Sequence, residues 1–358
     1  MFLKPQSLNP KTILMWLKER DPNTLQSLWN LADMIRMEHM GDSVHLRGVV
    51  EFSNRCVRRC TYCGINAEQT DLLRYSMSGR GVLITARTIA TSGCQTVVLQ
   101  SGEDPNLSVA WMTDLIQQIK ADYDLTVTLS LGEKPTEALE AWKRAGADRY
   151  LLKFETSNPE LFHQRHSSGK HGLDQRLEQI RALKHLGYET GSGCIVGLPG
   201  QTYEDLVNDL LLQHELGLDM VAIGPYQPLN AESCTSTQLD QTPNSDLLTH
   251  ICIALTRIMN PSAHIPATAA LAASSTDSRW TSLNGGANVI MPNFTPLDFR
   301  QHYSIYPSDL RANSLSGQDL TSNIKDQLYE MGRPPALINQ AKPQIERSEK
   351  IPPGANLS

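Results

Sequence analysis

Three things are scarce in this 358-residue chain, and each scarcity removes a class of function. There is no basic excess: 32 Lys and Arg stand against 38 Asp and Glu, a formal charge of -6, which excludes the electropositive surface that binding a phosphate backbone requires. There is no uninterrupted apolar run of membrane-spanning length, and the opening Met1-Phe2-Leu3-Lys4-Pro5 has no apolar leader core, so neither a membrane span nor secretion is expected. Cysteine is sparse and odd in number, seven in all at 56, 60, 63, 94, 194, 234 and 252. That argues against a disulfide scaffold and for a reducing compartment. The expected location is the cytoplasm, with no nucleic-acid and no membrane partner.

What is present is a concentration of three of those cysteines in one loop, Phe52-Ser53-Asn54-Arg55-Cys56-Val57-Arg58-Arg59-Cys60-Thr61-Tyr62-Cys63-Gly64, at a C-x3-C-x2-C spacing. Three thiolates on a cubane 4Fe-4S cluster leave one iron without a protein ligand, and an open iron is a reaction site. The rival reading is a zinc knuckle or a set of buried thiols. Zinc asks for a fourth Cys or His nearby, and between Glu51 and Gly93 there is none besides these three. The loop arginines and the aromatic Tyr62 suit an anionic cluster beside a bound cosubstrate. Spacing and aromatic together resemble the signature loop of the radical S-adenosylmethionine (SAM) enzymes. That resemblance implies that Cys56, Cys60 and Cys63 hold one 4Fe-4S cluster, that the amino and carboxylate groups of SAM take the fourth iron, and that one electron releases a 5′-deoxyadenosyl radical.

From Val44 onward, β-branched runs alternate with helical segments, the pattern of a parallel sheet wound with crossover helices. Eight strands are predicted: Val44–Phe52, Thr96–Gln100, Thr126–Leu131, Arg149–Phe154, Glu189–Val196, Met220–Gly224, Ile265–Thr268 and Ala287–Met291. Helices are predicted at Leu107–Asp122, Pro135–Ala145, Leu173–Leu186, Tyr203–Leu216 and Ser245–Met259. The expected fold is α/β, a (βα)8 TIM-type barrel. Residues 1–43 form an N-terminal helical cap, 44–300 the barrel, 301–340 an irregular C-terminal extension covering it, and 341–358 a disordered tail. In such a barrel the carboxyl ends of the strands face the active site.

Strand ends therefore nominate the remaining residues. The second strand ends in Gln100-Ser101-Gly102-Glu103, a variant of the Gly-Gly-Glu element that grips the SAM amine, with serine in place of the first glycine. Ser130 closes the third strand, and Glu155, closing the fourth, offers a charged acceptor to the vicinal ribose hydroxyls. Arg176 is either the bidentate partner of the SAM carboxylate or a surface arginine in a charged helix. In Gly191-Ser192-Gly193-Cys194-Ile195-Val196-Gly197, Ile195 or Val196 supplies an apolar edge for adenine. Tyr62 completes the SAM set. Cys94, Cys194, Cys234 and Cys252 lack metal-ligand spacing and read as small buried residues.

A narrower resemblance rests on Gly41-Asp42-Ser43-Val44-His45-Leu46-Arg47, Val98-Leu99-Gln100-Ser101-Gly102-Glu103-Asp104, Leu129-Ser130-Leu131-Gly132-Glu133, Val196-Gly197-Leu198-Pro199-Gly200-Gln201-Thr202 and Ala287-Asn288-Val289-Ile290-Met291-Pro292-Asn293. These segments resemble the HydE family of FeFe-hydrogenase maturases. The resemblance implies work on the two-iron subcluster of the hydrogenase, on a cysteine-bound iron carbonyl cyanide complex. A reductant such as flavodoxin or ferredoxin would act with it, alongside a tyrosine-cleaving radical SAM maturase and a scaffold GTPase. By position it implies a substrate cavity lined by Thr128, Lys153, Thr268, Met291, Tyr303 and Tyr306. No second, accessory cluster is expected, since no cysteine follows Cys252. The chain departs from the family pattern at Lys153-Phe154, where Arg-His is common, and at Ala269, where a second threonine is usual. The enzymatic alternatives are a methylornithine synthase-like lysine mutase and a biotin synthase-like activity; the non-enzymatic one is an iron–sulfur carrier.

Overall fold

The computed structural model describes residues 8–166, 172–229, 240–272, 277–306 and 315–336. Cys234 and the expected tail 341–358 lie outside them. Among the described residues ten strands form: β1 His45–Ser53, β2 Thr96–Ser101, β3 Thr126–Ser130, β4 Arg149–Leu151, β5 Glu189–Ser192, β6 Ile195–Val196, β7 Met220–Val221, β8 Gly224–Pro225, β9 Pro266–Ala267 and β10 Val289–Ile290. Eight make one sheet in the order β7-β5-β4-β3-β2-β1-β10-β9, and every pair is parallel. A parallel bridge between Met220 and His264 joins the two edges, so the sheet is a nearly closed eight-strand barrel. The strands are buried almost end to end, as nine-residue β1 illustrates. A parallel sheet covered on both faces demands this.

Two predicted strands are split. Glu189–Val196 breaks into β5 and β6 at Gly193, where an added Cβ would lie 1.9 Å from the Ala222 carbonyl oxygen. Only a residue without a side chain lets the two backbones approach so closely. Met220–Gly224 likewise divides into β7 and β8, and β6 pairs with β8 as a separate two-stranded extension at the carboxyl end of the barrel.

Between strands run α3 Gly79–Thr91, α4 Val109–Asp122, α5 Thr136–Arg144, α6 Pro159–His166, α7 Leu173–His185, α8 Tyr203–Glu215 and α9 Asp246–Met259, after α1 Pro10–Leu17 and α2 Pro22–Met40. Their starts are chemically marked. Asn9 and Asp21 accept from the Thr12 and Thr24 amides with proline next in line, and Thr202 with Asp205 forms a reciprocal capping box on α8. Such caps satisfy amides that the helix leaves free. The pair α1 and α2 packs against α8 and α9, and Ala32 of α2 also approaches Gly286, just before β10. Short helices α10 Ala269–Ala272, α11 Arg279–Leu283 and α12 Leu297–Arg300 follow. Among the described residues of the extension a regular helix forms, α13 Gly317–Glu330, capped by Ser316 and packed on α3.

Candidate active site

The carboxyl ends of the barrel strands enclose a cavity of about 340 Å³. All three loop cysteines line it. So do Tyr62, Ser101, Gly102, Glu103, Ser130, Lys153, Glu155, Arg176, Thr268, Met291, Tyr303 and Tyr306. Two nominated residues stand apart from its wall. Thr128 shares the inward face of β3 with Ser130 but lies a layer beneath, 3% exposed with its hydroxyl unpartnered among the described residues. Val196 is fully buried, while Ile195, on the alternate face of the same short strand, lines the cavity.

β1 delivers the chain into the cysteine loop at Asn54, whose amide group donates to the Leu73 and His302 carbonyls at 2.8 and 2.7 Å and fixes the exit from the barrel. The far side of the loop is held by Arg74, whose guanidinium donates to the Asn54, Ile65 and Asn66 carbonyls. Gly102 is where the second strand meets this loop. A Cβ there would lie 2.4 Å from the Arg55 carbonyl oxygen and 2.7 Å from Cys56 Cβ, so the glycine is what lets the loop rest on β2.

A chain of charges ties the loop to three strands. Arg58 Nε donates to Glu103 Oε1 at 2.7 Å, and its Nη2 donates to Glu133 Oε2 at 2.8 Å. Glu133 Oε1 accepts from Arg176 Nε at 2.6 Å. Burial works against the Arg58 charge, but these carboxylates hold its pKa above the ordinary value. Arg176 is 3% exposed, which removes the surface-arginine reading. It donates further to the Lys153 carbonyl and to His166 Nε2, both at 2.7 Å. Among the described residues three of its five N–H donors are thus used, leaving one on each terminal nitrogen for a ligand carboxylate.

His166 has a defined proton. Burial, with Arg176 and Arg58 beside it, lowers its pKa to about 2, so the ring is neutral. Arginine can only donate, so Nε2 accepts and Nδ1 carries the hydrogen. Nδ1 lies 2.6 Å from Tyr62 Oη and 3.2 Å from Cys60 Sγ. Tyr62 also packs on a small apolar cluster of Leu161, Ile195, Leu198 and Tyr226, separate from the main core.

Glu155 adopts a left-handed backbone, φ 66°, uncommon for a residue with a side chain and a feature that collects at functional sites. Its amide and carbonyl are held by Gly193 and Ile195 across a bridge to Cys194, and its Oε2 forms an ion pair with Lys153 Nζ at 2.8 Å. Burial opposes the lysine charge, yet Glu155 keeps the Lys153 pKa raised.

The donor set fits an iron–sulfur cubane better than a single ion. Among the described residues no three His, Cys, Asp or Glu side chains are spaced to hold one metal ion, whereas a cubane asks its cysteines to border a void. Cys56, Cys60 and Cys63 border this one. Burial raises the Cys63 thiol to about 12 and the Cys60 thiol further, so binding the cluster must displace their protons. Cys94, Cys194 and Cys252 are buried outside the cavity.

Sequence reasoning overlooked several residues here. Glu133 stands in a quoted motif without a role, Arg58 counts there only among the arginines suited to the cluster whereas it pairs with Glu103 and Glu133, and His166, 106 positions from Cys60, gave no signal at all. Glu51 did give one, as a carboxylate inside the apolar run Val49-Val50-Glu51-Phe52.

The chain resembles known proteins. Residues 50–212 match the model of the Radical SAM superfamily. The chain is 46% identical over 286 residues to the [FeFe] hydrogenase maturase subunit HydE of Thermotoga maritima, covering 80% of each. It is 27% identical over 316 residues to the 3-methylornithine synthase of Methanosarcina acetivorans, covering 87% of this chain and 86% of that one. Among solved structures, methylornithine synthase (PylB) superposes with a TM-score of 0.79 at 23% identity, covering 93% of this chain and 96% of the other, a likeness of fold. With its three cysteines at the mouth of a parallel barrel and a relative of this identity over four-fifths of its length, the chain belongs to the HydE family of radical SAM enzymes.

Proposed function

We propose that this protein takes part in maturation of the two-iron subcluster of FeFe-hydrogenase, acting on a cysteine-bound iron carbonyl cyanide complex. The observation that carries the reading is convergence on one cavity: the three-cysteine loop, the Glu103–Arg58–Glu133–Arg176 charge chain and the Lys153–Glu155 pair all border it. Cys56, Cys60 and Cys63 would hold one 4Fe-4S cluster, which supplies the electron that splits SAM when bound. The chain's own residues do the rest. Arg176 offers two free donors to the SAM carboxylate, Glu155 accepts from the ribose hydroxyls, and Ile195 with Tyr62 and Tyr226 gives the adenine an apolar seat. Ser101 and Gly102 face the SAM amine, with Glu103 held in place by Arg58. Lys153, Thr268, Met291, Tyr303 and Tyr306 form the substrate end of the chamber. The cation and hydroxyls suit a ligand bearing carboxylate and cyanide.

The cluster is proposed to be single, because no cysteine follows Cys252. A flavodoxin or ferredoxin is the proposed electron donor, and the tyrosine-cleaving maturase and scaffold GTPase are the proposed partners.

The test is substrate consumption. Anaerobically reconstituted, reduced protein with SAM is given either a synthetic cysteine-bound iron dicarbonyl cyanide or L-lysine. Loss of the iron complex, with label from SAM appearing in its product, supports the maturase reading. Formation of methylornithine from lysine would replace it.

A further inference from the structure

Among the described residues, every charged side chain lining the cavity belongs to an ion pair except one. Arg58 is paired with Glu103 and Glu133, Arg176 with Glu133, and Lys153 with Glu155. The exception is Glu51 of β1, 7% exposed and part of the cavity wall. Its Oε2 accepts from Asn293 Nδ2 at 2.9 Å and from Thr295 Oγ1 at 3.2 Å. Its Oε1 has no donor among the described residues. Arg300, a cation whose charge acts on it, is spent on the carbonyls of Asn293, Thr295 and Leu315 and tightens the loop that holds Oε2. The carboxylate is therefore fixed by one oxygen, with the other left to the cavity.

An unpaired buried carboxylate is costly, and a cost of that kind is offset when a ligand supplies the missing donor. Its position narrows what the ligand is. In the ring of eight strands, β1 lies three places from β4, so Glu51 and Lys153 project from facing walls. Between them the lining is uncharged: Gln100, in register with Glu51 on β2 and donating to Tyr303 Oη at 3.2 Å, then Met291, Ala222 and Thr268.

We propose that Glu51 is the receptor for a primary amine on the substrate, and that with Lys153 opposite, taking a carboxylate, the chamber recognises both ends of an α-amino-acid moiety. This rests on reading the cavity as the substrate chamber of a SAM-cleaving enzyme. It adds that the amino group of the ligand, and not only its carboxylate or any metal it carries, is read by the protein.

The experiment compares two thioethers that differ only by the amine, S-methyl-L-cysteine and 3-(methylthio)propionate. Neither has a thiol to capture iron. Calorimetric titration into the anaerobic, cluster-loaded, SAM-bound protein is expected to show at least tenfold tighter binding of the amino acid. In Glu51→Gln that preference disappears while the propionate binds as before, with iron content as the check on folding. Should the variant not fold, the comparison within the wild-type protein still decides. Equal affinity of the wild-type protein for both compounds, or binding of neither, overturns the proposal. Cleavage of SAM by the wild-type protein is scored separately. Cleavage without amine preference removes this inference alone, whereas absence of cleavage removes the reading beneath it.

Discussion

Arg58, two residues beyond the first loop cysteine, donates through Nε to Glu103 at 2.7 Å, and both side chains are nearly buried, 11% and 13% exposed. The cysteine loop and the second strand are thus locked together by charge. The same guanidinium reaches Glu133, which in turn orients Arg176.

Removing Arg58 should therefore disturb more than one contact. In Arg58→Gln, Glu103 and Glu133 face each other without the cation between them. Breaking a buried pair this way costs about 3 kcal/mol, read as a lower denaturation midpoint of the cluster-free protein. SAM affinity, measured by calorimetry on the loaded protein, is expected to fall at least tenfold. Arg58→Lys keeps the charge but not the fork, so it should recover stability before affinity.

Gly102→Ala places a methyl group 2.4 Å from the Arg55 carbonyl. The loop must move away from β2, and Cys56 with it. Iron bound per chain after reconstitution should drop by half or more, while the far-ultraviolet circular dichroism stays that of the parent.

Glu51 makes stability depend on pH in a direction opposite to that of a salt-bridged carboxylate. Burial raises its pKa from 4.5 to about 7, against the lowering effects of Asn293, Thr295 and Arg300. Tyr75 and Tyr303, which also face it, stay protonated over this range, as their pKa values are raised by burial and by Glu51 itself. Between pH 4.5 and 7 the folded chain binds more protons at this site than the unfolded one, so its contribution to stability falls as pH rises. The difference between the wild-type and Glu51→Gln stability curves isolates this slope, because Asp209, also raised to about 7, titrates in both. A difference curve that is flat from pH 4.5 to 7 would contradict the assignment.

Cys94 is 1% exposed in the main core and is not among the residues lining the cavity. Cys94→Ala should cost about 1 kcal/mol of stability and leave the iron content of the reconstituted protein unchanged. A loss of iron would mean that a fourth cysteine takes part.

The barrel was legible in the sequence because its signals are local and repeated. All eight strand runs form, and the five predicted helices appear within two residues of their ends. Where the prediction ran long, as at Glu189–Val196, the break sits at Gly193, whose meaning depends on Ala222, a neighbour that no window around residue 193 contains. The three-cysteine loop, which lies at the cavity, was legible for the same local reason. The charge chain was not. Its links, Arg58 to Glu133 and Glu133 to Arg176, join residues 75 and 43 positions apart, whose proximity only the folded barrel creates. Val196 shows the finer limit: whether residue 195 or 196 faces the cavity is a matter of one-residue phase, which the backbone irregularity at Gly193 resets. Arg176 shows the converse. Its helix is charged on one side, yet the register of α7 turns this arginine inward.

The account stands on three cysteines presenting an open cluster to SAM inside this cavity. The most direct measurement is 5′-deoxyadenosine formed by the anaerobically reconstituted, dithionite-reduced protein given SAM, set beside a Cys60→Ser variant prepared identically. The account predicts deoxyadenosine and methionine in equal amounts from the wild-type protein and none from the variant. Four bound irons with no deoxyadenosine, or equal production by both proteins, would contradict it.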